Sequence, residues 1–418
     1  MKIRRTLPPA AAPLALSDLL HGLAGILFGR TCGERREREL REHFGVRHVY
    51  LVSSGKAALT VILKALKRLA PERNRVLIPA YTCFSVPSAI IKAGLQVSLC
   101  DIDPAAFDFD YALLKKAIGK KTLCVVPTHL FGVPADMDRT CAACRDEGVF
   151  VVEDAAQAMG GNYKGKKLGT IGDAGIFSLG RGKNITCGSG GIIVTNSDAV
   201  ARELGREYAR LEAPGITEGL KELVKTALMA LFIHPSLYWL PAGLSFPGLG
   251  KTVFSRKFPV KTLSGIQAGL LRNWKSRLEK SNRVREENTR HYRERLQPFT
   301  AFTEGTVTAP LLRLPLRTGN RAERERICEL PGMKGMGLGR MYPGAIHEIK
   351  QLRSRFIGKR FPAAAALAEE LVSVPTHHLL SKRDRERICE LLKEAVTLPP
   401  RKDSGLMPAE GTVPIYEP

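Results

Sequence analysis

Apolar residues in this chain recur in two alternating rhythms. Residues 17–45 read as a helix whose second half is polar and basic. HVYLVS at 48–53 is a short strand-like run, and SSGKAAL turns it into a helix that continues to about Leu69 with one apolar face. VLIPAY at 76–81 is strand-like, and SVPSAIIKAG reads as a helix stopped by Gly94. Further strands are predicted at 96–103, 122–130 and 148–156, with a helix over 136–146 between the last two. AGIFSL at 174–179 and GGIIVTN at 190–196 complete the series. Strands that alternate with helices in this way predict a mostly parallel α/β sheet. Ligands of such sheets bind at the carboxyl ends of the strands, and the polar signals SSG, EDAAQ and SLGRGK come directly after strands here.

From about 221 the rhythm changes. LVKTALMALFIHPSLYWLPAGLSFPGLG is strongly apolar but is broken by Lys225, His234, Pro235, Pro241 and Pro247. It is too interrupted to cross a bilayer as one helix. A buried helical hairpin, a dimer contact and an insert lying on a membrane all fit it. Residues 262–297 read as one long basic helix, and the remainder mixes short strands and helices. The expected organisation is an N-terminal helical segment (1–45), a large domain (46–220), an apolar insert and linker (221–261), a long helix with a smaller C-terminal α+β domain (262–398), and a loose tail (399–418).

Composition narrows the class. With 44% hydrophobic and 25% charged residues over 418 positions, the chain suits two packed domains and not a disordered one. Lys and Arg number 64 against 41 Asp and Glu, a net charge of +23 that favours an anionic partner. No helix-turn-helix, zinc-finger or RNA-recognition signature accompanies that charge, so nucleic acid is not expected. The start MKIRR imitates an export signal, but Pro8, Pro9, Pro13, Asp18 and His21 interrupt the next stretch, and an amphipathic segment is expected instead. Cys83, Cys100 and Cys124 look like buried small hydrophobes. Cys141 and Cys144 have CxxC spacing without a second ligand pair, so no metal site is expected. These thiols suit a reducing cytoplasm.

The strand ends carry residues that pyridoxal 5′-phosphate (PLP) chemistry needs. An amine must bond the cofactor and move protons, a carboxylate must face the pyridine nitrogen, and a helix start must hold the phosphate. Lys183 in FSLGRGKNITCGSGG, Asp154 at the end of FVVEDAAQ, and the SSG turn at 53–55 are the candidates, with Ser178 five residues before the lysine.

Their order and spacing closely resemble the DegT/DnrJ/StrS family of PLP-dependent sugar aminotransferases. The matching runs are SSGKAAL, LIPAYTCFSVPSAI, DIDPAAFDFD, VVPTHLFGVPADMD and VVEDAAQAMGGNYKGKKLGTIGDAGIFSLGRGKNITCGSGGIIVTN, with weaker matches at 263–271 and 371–392. The resemblance implies the type I, aspartate-aminotransferase-like fold of PLP-dependent transferases. It makes Lys183 the Schiff-base lysine and Asp154 the partner of the pyridine nitrogen. Gln157 would lie near the ring hydroxyl, while Ser178, Ser54 and Gly55 would hold the phosphate. Lys56 stands where the family commonly has Thr. Cys83 stands at the usual ring-stacking aromatic, which leaves Phe84 as the nearest candidate for that role. Met159 replaces a frequent His and Ser189 a Glu, and no counterpart of the family's cross-dimer Asn loop occurs near FPVKTLSG.

The implied function is transfer of an amino group, from glutamate by family analogy, to a keto sugar that is nucleotide-linked or otherwise anionic, in polysaccharide or related biosynthesis. The resemblance implies a homodimer; a cytoplasmic protein is expected, and for 226–250 peripheral contact with the inner face of a membrane and a contact with the dimer partner both stay open. The alternative is a PLP-binding regulatory or scaffolding component at a membrane, without transaminase activity.

Overall fold

The computed structural model describes residues 5–243, 253–296 and 309–397. Helix α1 (Leu16–Phe44) precedes β1 (His48–Val52), α2 (Gly55–Leu69), β2 (Arg75–Pro79), α3 (Ser85–Lys92) and β3 (Gln96–Cys100). A small hairpin of β4 (Ile102–Asp103) and β5 (Asp108–Phe109) leads to α4 (Tyr111–Ala117), β6 (Thr122–Val125), α5 (Met137–Arg145) and β7 (Phe150–Asp154). A second hairpin, β8 (Asn162–Tyr163) and β9 (Lys166–Lys167), precedes β10 (Ala174–Ser178) and β11 (Gly191–Thr195).

The main sheet has seven strands in the order β1-β11-β10-β7-β6-β2-β3. Only β11 runs antiparallel to its neighbours. The mostly parallel sheet expected from the alternating pattern is therefore present. Its central strands are buried from end to end, as strands covered by helices on both faces must be.

Beyond the sheet come α6 (Asp198–Tyr208), α7 (Ile216–Phe232), α8 (Trp239–Gly243), α9 (Gly265–Leu270) and α10 (Trp274–Arg295). The smaller C-terminal unit pairs β12 (Arg313–Arg317) antiparallel with β13 (Leu371–Pro375), and packs α11 (Arg321–Glu329), α12 (Pro362–Glu370) and α13 (Lys382–Thr397) around them.

The single long helix expected over 262–297 is two helices. Ser264 and Gln267 form a capping box that starts α9, and the chain turns at Leu271–Asn273 before α10. The buried Arg36 guanidinium donates to the carbonyls of Leu271 and Arg272, and Arg277 Nη2 donates to Leu270 O at 2.6 Å. These cations satisfy the carbonyls that the break frees. Periodicity alone could not register them, because Arg277 keeps the basic character of a continuous helix and Arg36 comes from α1, far away in sequence. The strand expected over 122–130 likewise ends at Val125, and a short 3-10 turn occupies Leu130–Gly132.

Helix α1 is amphipathic in an unusual sense. Its first half turns Asp18, Gly22 and Gly25 inward and leaves Leu16 and Leu27 74% and 80% exposed. The glycines let it lie directly on α9. A Cβ on Gly25 would stand 2.2 Å from Gly265 O, and one on Gly269 would stand 2.2 Å from His21 O. Helix α7 continues the outer apolar surface with Ile216, Leu220, Val224, Leu228 and Leu231. Among the described residues, no helix is long and apolar enough to cross a membrane. Of the apolar segment 226–250, residues 244–250 lie outside the described residues, as does the tail 399–418.

The α1–α9 contact makes a sharp prediction. Gly25→Val forces backbone apart and should lower unfolding stability by about 1–3 kcal/mol. Gly33→Ala, with nothing within 4 Å of the new methyl, should raise it by about 0.4–1 kcal/mol through the unfolded chain. Equal effects of the two in denaturant titrations would refute the close approach.

Candidate active site

Strands β1, β7 and β10 end on the same edge of the sheet, and a cavity of about 500 Å³ opens there. Ser54, Gly55, Lys56, Asp154, Gln157, Ser178 and Lys183 all line it. Of the expected site residues, only Phe84 is not brought to the cavity. It is buried in the hydrophobic core at the start of α3, where its carbonyl accepts a bond from Ser88 Oγ. Cys83, expected to be a buried core residue, instead lines the cavity together with Ser85 and Val86. Cys100 and Cys124 are buried as expected.

Two adjacent acids end β7, and strand alternation sends them to opposite faces. Glu153 is fully buried away from the cavity. It accepts the backbone N–H groups of Gly169, Ile171 and Gly172, and His129 Nε2 at 3.0 Å. His129 Nδ1 already accepts Ala135 N–H, so the proton facing Glu153 sits on Nε2. Asp154 faces the cavity. Its backbone is fixed on both sides, N–H to Pro127 O at 2.9 Å and carbonyl from His129 N–H at 3.1 Å. Oδ1 accepts Ala156 N–H, and among the described residues Oδ2 has no hydrogen-bond partner. Burial pushes the Asp154 carboxyl up, opposed by Ala156 N–H and by the positive charge of Lys183.

The start of α2 also borders the cavity. Ser54 caps it, Oγ accepting Ala57 N–H at 3.1 Å, while the first N–H groups of the helix have no partner within it. Gly55 allows Ser178 to lie against this turn, since a Cβ there would be 3.1 Å from the Ser178 Cβ. A hydroxyl, free amides and the positive end of a helix thus meet, the arrangement that binds phosphate. Lys56 stands over the Phe258 ring at 4.5 Å, and burial lowers its pKa. Phe258 belongs to the FPVKTLSG run, which packs back on β1 through Ser53 N–H to Lys261 O.

Lys183 lies in the loop between β10 and β11. Side chains of α10 hold that loop from behind: Arg277 donates to Thr186 O, and Asn282 bridges Asn184 and Met159 O. Burial lowers the Lys183 pKa, while Cys83 and Asp154 raise it. An amine destabilised as a cation beside a carboxylate is suited to nucleophilic and proton-transfer work.

Several lining residues had no expectation attached to them. Pro9 and Ala10 come from the N-terminal segment, and Arg313 and Leu338–Tyr342 from the C-terminal unit. Gln157 is more committed than expected: Oε1 accepts Phe131 N–H, and Nε2 donates to Tyr342 OH at 2.9 Å. Tyr342 is buried, which pushes its phenol well above the ordinary value. The glycine-dense stretch GMKGMGLGRMYPG was the visible signal for this wall. Met341 there takes a left-handed φ of 57°, a conformation that a non-glycine residue holds at a cost.

With a fold and a site in view, the chain can be set beside known proteins. A mostly parallel sheet of this order with a lysine and a carboxylate at its strand ends defines the type I fold of PLP-dependent transferases. Residues 26–393 match the model of the DegT/DnrJ/EryC1/StrS aminotransferase family, and the chain belongs to that family. GDP-perosamine synthase of Caulobacter vibrioides is 35% identical over 168 residues, 40% of this chain and 45% of that protein. The chain thus aligns with less than half the length of that relative. The spore coat polysaccharide biosynthesis protein SpsC of Bacillus subtilis is 27% identical across 86% of this chain and 88% of its own. PseC of Helicobacter pylori, an aminotransferase of pseudoaminic acid biosynthesis, superposes with a TM-score of 0.75 at 17% identity, over 93% of this chain and 99% of its own.

The N-terminal wall depends on a buried histidine. His377 Nε2 donates to Pro8 O at 2.8 Å, and Nδ1 accepts Leu379 N–H. Burial lowers its pKa from 6.5 to about 3. The unfolded chain takes up this proton as pH falls below 6.5 and the folded chain does not. Stability is therefore complete above 6.5 and is lost as pH falls, by about 2 kcal/mol at pH 5 from this group. His377→Gln should flatten the stability profile between pH 7 and pH 5, measured by denaturant titration; an unchanged slope would exclude His377 as its source.

Proposed function

We propose that this chain is a PLP-dependent aminotransferase. It moves an amino group from an amino acid, glutamate in the first instance, to the ketone of a nucleotide-linked sugar, and works as a homodimer. The observation that carries this reading is the convergence of Lys183 and the half-satisfied Asp154 on one cavity that ends at a capped helix start. The residues fit PLP. The α2 start and Ser178 would hold its phosphate, Asp154 its ring nitrogen and Lys183 its aldehyde carbon. When bound, PLP supplies an electron sink that lets a C–H bond beside an attached nitrogen ionise.

The chain's own residues supply the rest. Asp154, oriented by the backbone bonds of Pro127 and His129, keeps a proton on the nitrogen that faces Oδ2. Lys183 Nζ, whose cationic form burial disfavours, takes the proton from the donor carbon and returns it on the other side of the transferred nitrogen. In balance, the donor's C–NH2 becomes C=O and the sugar's C=O becomes C–NH2, with no external oxidant. The cavity wall carries Lys56, Arg181 and Arg340, which suits a diphosphate-bearing substrate. The name of the perosamine synthase supports a nucleotide-linked sugar.

The test is absorbance of purified protein loaded with PLP. The wild type should show a long-wavelength band that L-glutamate discharges with release of 2-oxoglutarate. Lys183→Ala should lack the band. A band retained in the variant would remove Lys183 from its role. A wild-type band unmoved by any amino donor would favour the regulatory alternative.

A second reading concerns where the chemistry occurs. The exposed leucines of α1 and α7, flanked by exposed Lys221 and Lys225, favour a peripheral position on the inner, anionic face of a membrane. The protein should sediment with phosphatidylglycerol vesicles, and Val224→Glu with Leu228→Glu should abolish this. No sedimentation, with a fall from dimer to monomer in the double variant, would assign the face to the second subunit instead.

A further inference from the structure

The loop at 350–360 carries charge and exposure that the active site does not use. It runs KQLRSRFIGKR, with Lys350, Arg353, Arg355, Lys359 and Arg360 and no acid. All five cations are exposed, and among the described residues none of them has an ion-pair partner. The acid just before them, Glu348, is held by Ala345 N–H at 2.7 Å. At the tip stands Ile357, 83% exposed, more than any other large hydrophobic side chain among the described residues.

Local structure accounts for the shape of the loop but not for its tip. Leu352 and Phe356 turn inward, and Phe356 meets Phe361 edge to face with ring centres 6.2 Å apart. Residues 356–359 then form a type II turn. Lys359 N–H bonds Phe356 O at 3.0 Å, Ile357 sits at φ -55° and ψ 131°, and Gly358 takes a left-handed φ of 76°. That turn needs the glycine, but it asks nothing of an aliphatic side chain at its first corner, where Ile357 points into solvent. Both flanks of the loop are fixed. Ile346 N–H bonds Ala80 O just after β2, and Asp101, just after β3, accepts Ala363 and Ala364 N–H. The loop therefore lies on the sheet edge that opens the cavity, to the β2–β3 side of Asp154. Helix α7 contacts the turn after β10, on the other side of β7, where a Cβ on Gly188 would stand 2.1 Å from the Thr226 hydroxyl oxygen.

We infer that the 350–360 loop docks on an anionic phospholipid surface, with Ile357 entering the boundary between headgroups and acyl chains and the five cations meeting the phosphates around it. The contact rests on the peripheral reading above only for its partner, the anionic face of a membrane, and is separate from the α1 and α7 leucines. The pairing of features selects lipid. A soluble polyanion or a nucleic acid would use the cations but gain nothing from an aliphatic tip. A second copy of the chain is disfavoured, since each copy carries a net charge of +23. An anionic bilayer uses both, attracting each Lys or Arg near its surface and burying the apolar tip. Stable attachment takes two signals, and the loop and the α7 face supply one each.

The experiment uses the full chain with vesicles of phosphatidylglycerol, and phosphatidylcholine vesicles beside them. Arg353→Gln with Arg355→Gln should weaken sedimentation with phosphatidylglycerol about 30-fold, at about fivefold per cation. Raised salt should weaken the wild type in the same direction. Ile357→Ser should weaken it about tenfold. In Ile357→Trp, brominated acyl chains should quench the added indole beyond any quenching of the two native tryptophans in the wild type. Phosphatidylcholine vesicles should give neither sedimentation nor quenching. Thermal melts should be unchanged, since all the altered side chains are exposed.

Sedimentation unchanged in the loop variants, with no added quenching at 357, would overturn the inference; if Val224→Glu with Leu228→Glu still abolishes sedimentation, the α7 face then stands without the loop. Quenching at 357 that survives that double variant keeps the loop contact and removes the α7 face. Weaker binding of soluble polyphosphate by Arg353→Gln with Arg355→Gln, with no quenching at 357, would make the loop a polyanion site and overturn the lipid contact. Wild-type protein that ignores phosphatidylglycerol vesicles overturns it together with the peripheral reading and leaves the aminotransferase reading untouched.

Discussion

Everything at this site depends on keeping a carboxylate dry at the end of β7. Asp154 is buried, and burial alone would drive it to the neutral form. The protein keeps the carboxylate in a defined orientation by making its backbone part of the sheet edge and giving Oδ1 one amide, while leaving Oδ2 toward the cavity. The neighbouring Glu153 is handled in the opposite way. It is saturated by three amides and a histidine, and it ties the adjoining Gly169–Gly172 turn to the strand. Two acids one residue apart thus divide into a structural anchor and a chemical group, and strand alternation is enough to separate them.

Much of this was legible in the sequence because the signals are local. The sheet rhythm, the SSG turn after β1, Asp154 at a strand end and Lys183 in a glycine-rich loop each sit within a few residues of their structural cause. The features that stayed hidden are long-range. Arg313 and Tyr342 reach the cavity from the C-terminal unit, and nothing around LLRLPLRT distinguishes a cavity arginine from a surface one. Gln157 looked free to meet a ligand because its partners, Phe131 N–H and Tyr342 OH, come from distant segments. Cys83 and Phe84 exchanged expected places because one residue of helix phase separates cavity from core at the start of α3.

The break between α9 and α10 was hidden for a related reason. Its stabilisation comes from Arg36 of α1 and from Arg277, basic residues that in a linear reading only reinforce a helix. Helix α1 carries a second lesson. Its first half looks like a helix that ought to bury its leucines, but the contact surface is glycine and the leucines face outward. Close backbone approach and side-chain burial are alternative ways to hold a helix, and hydrophobic pattern reports only the second.

Residues 6–8 tie widely separated parts of the chain into one structure. Thr6 N–H bonds Pro235 O, Leu7 N–H bonds Gly335 O, and Pro8 O meets His377, so Pro9 and Ala10 become cavity wall. During synthesis the first of these residues emerges long before the last of their partners. The pocket therefore stays open on that side until the chain as far as His377 has been made. A chain truncated before His377 lacks the clasp that holds Pro8, and with it this wall of the cavity.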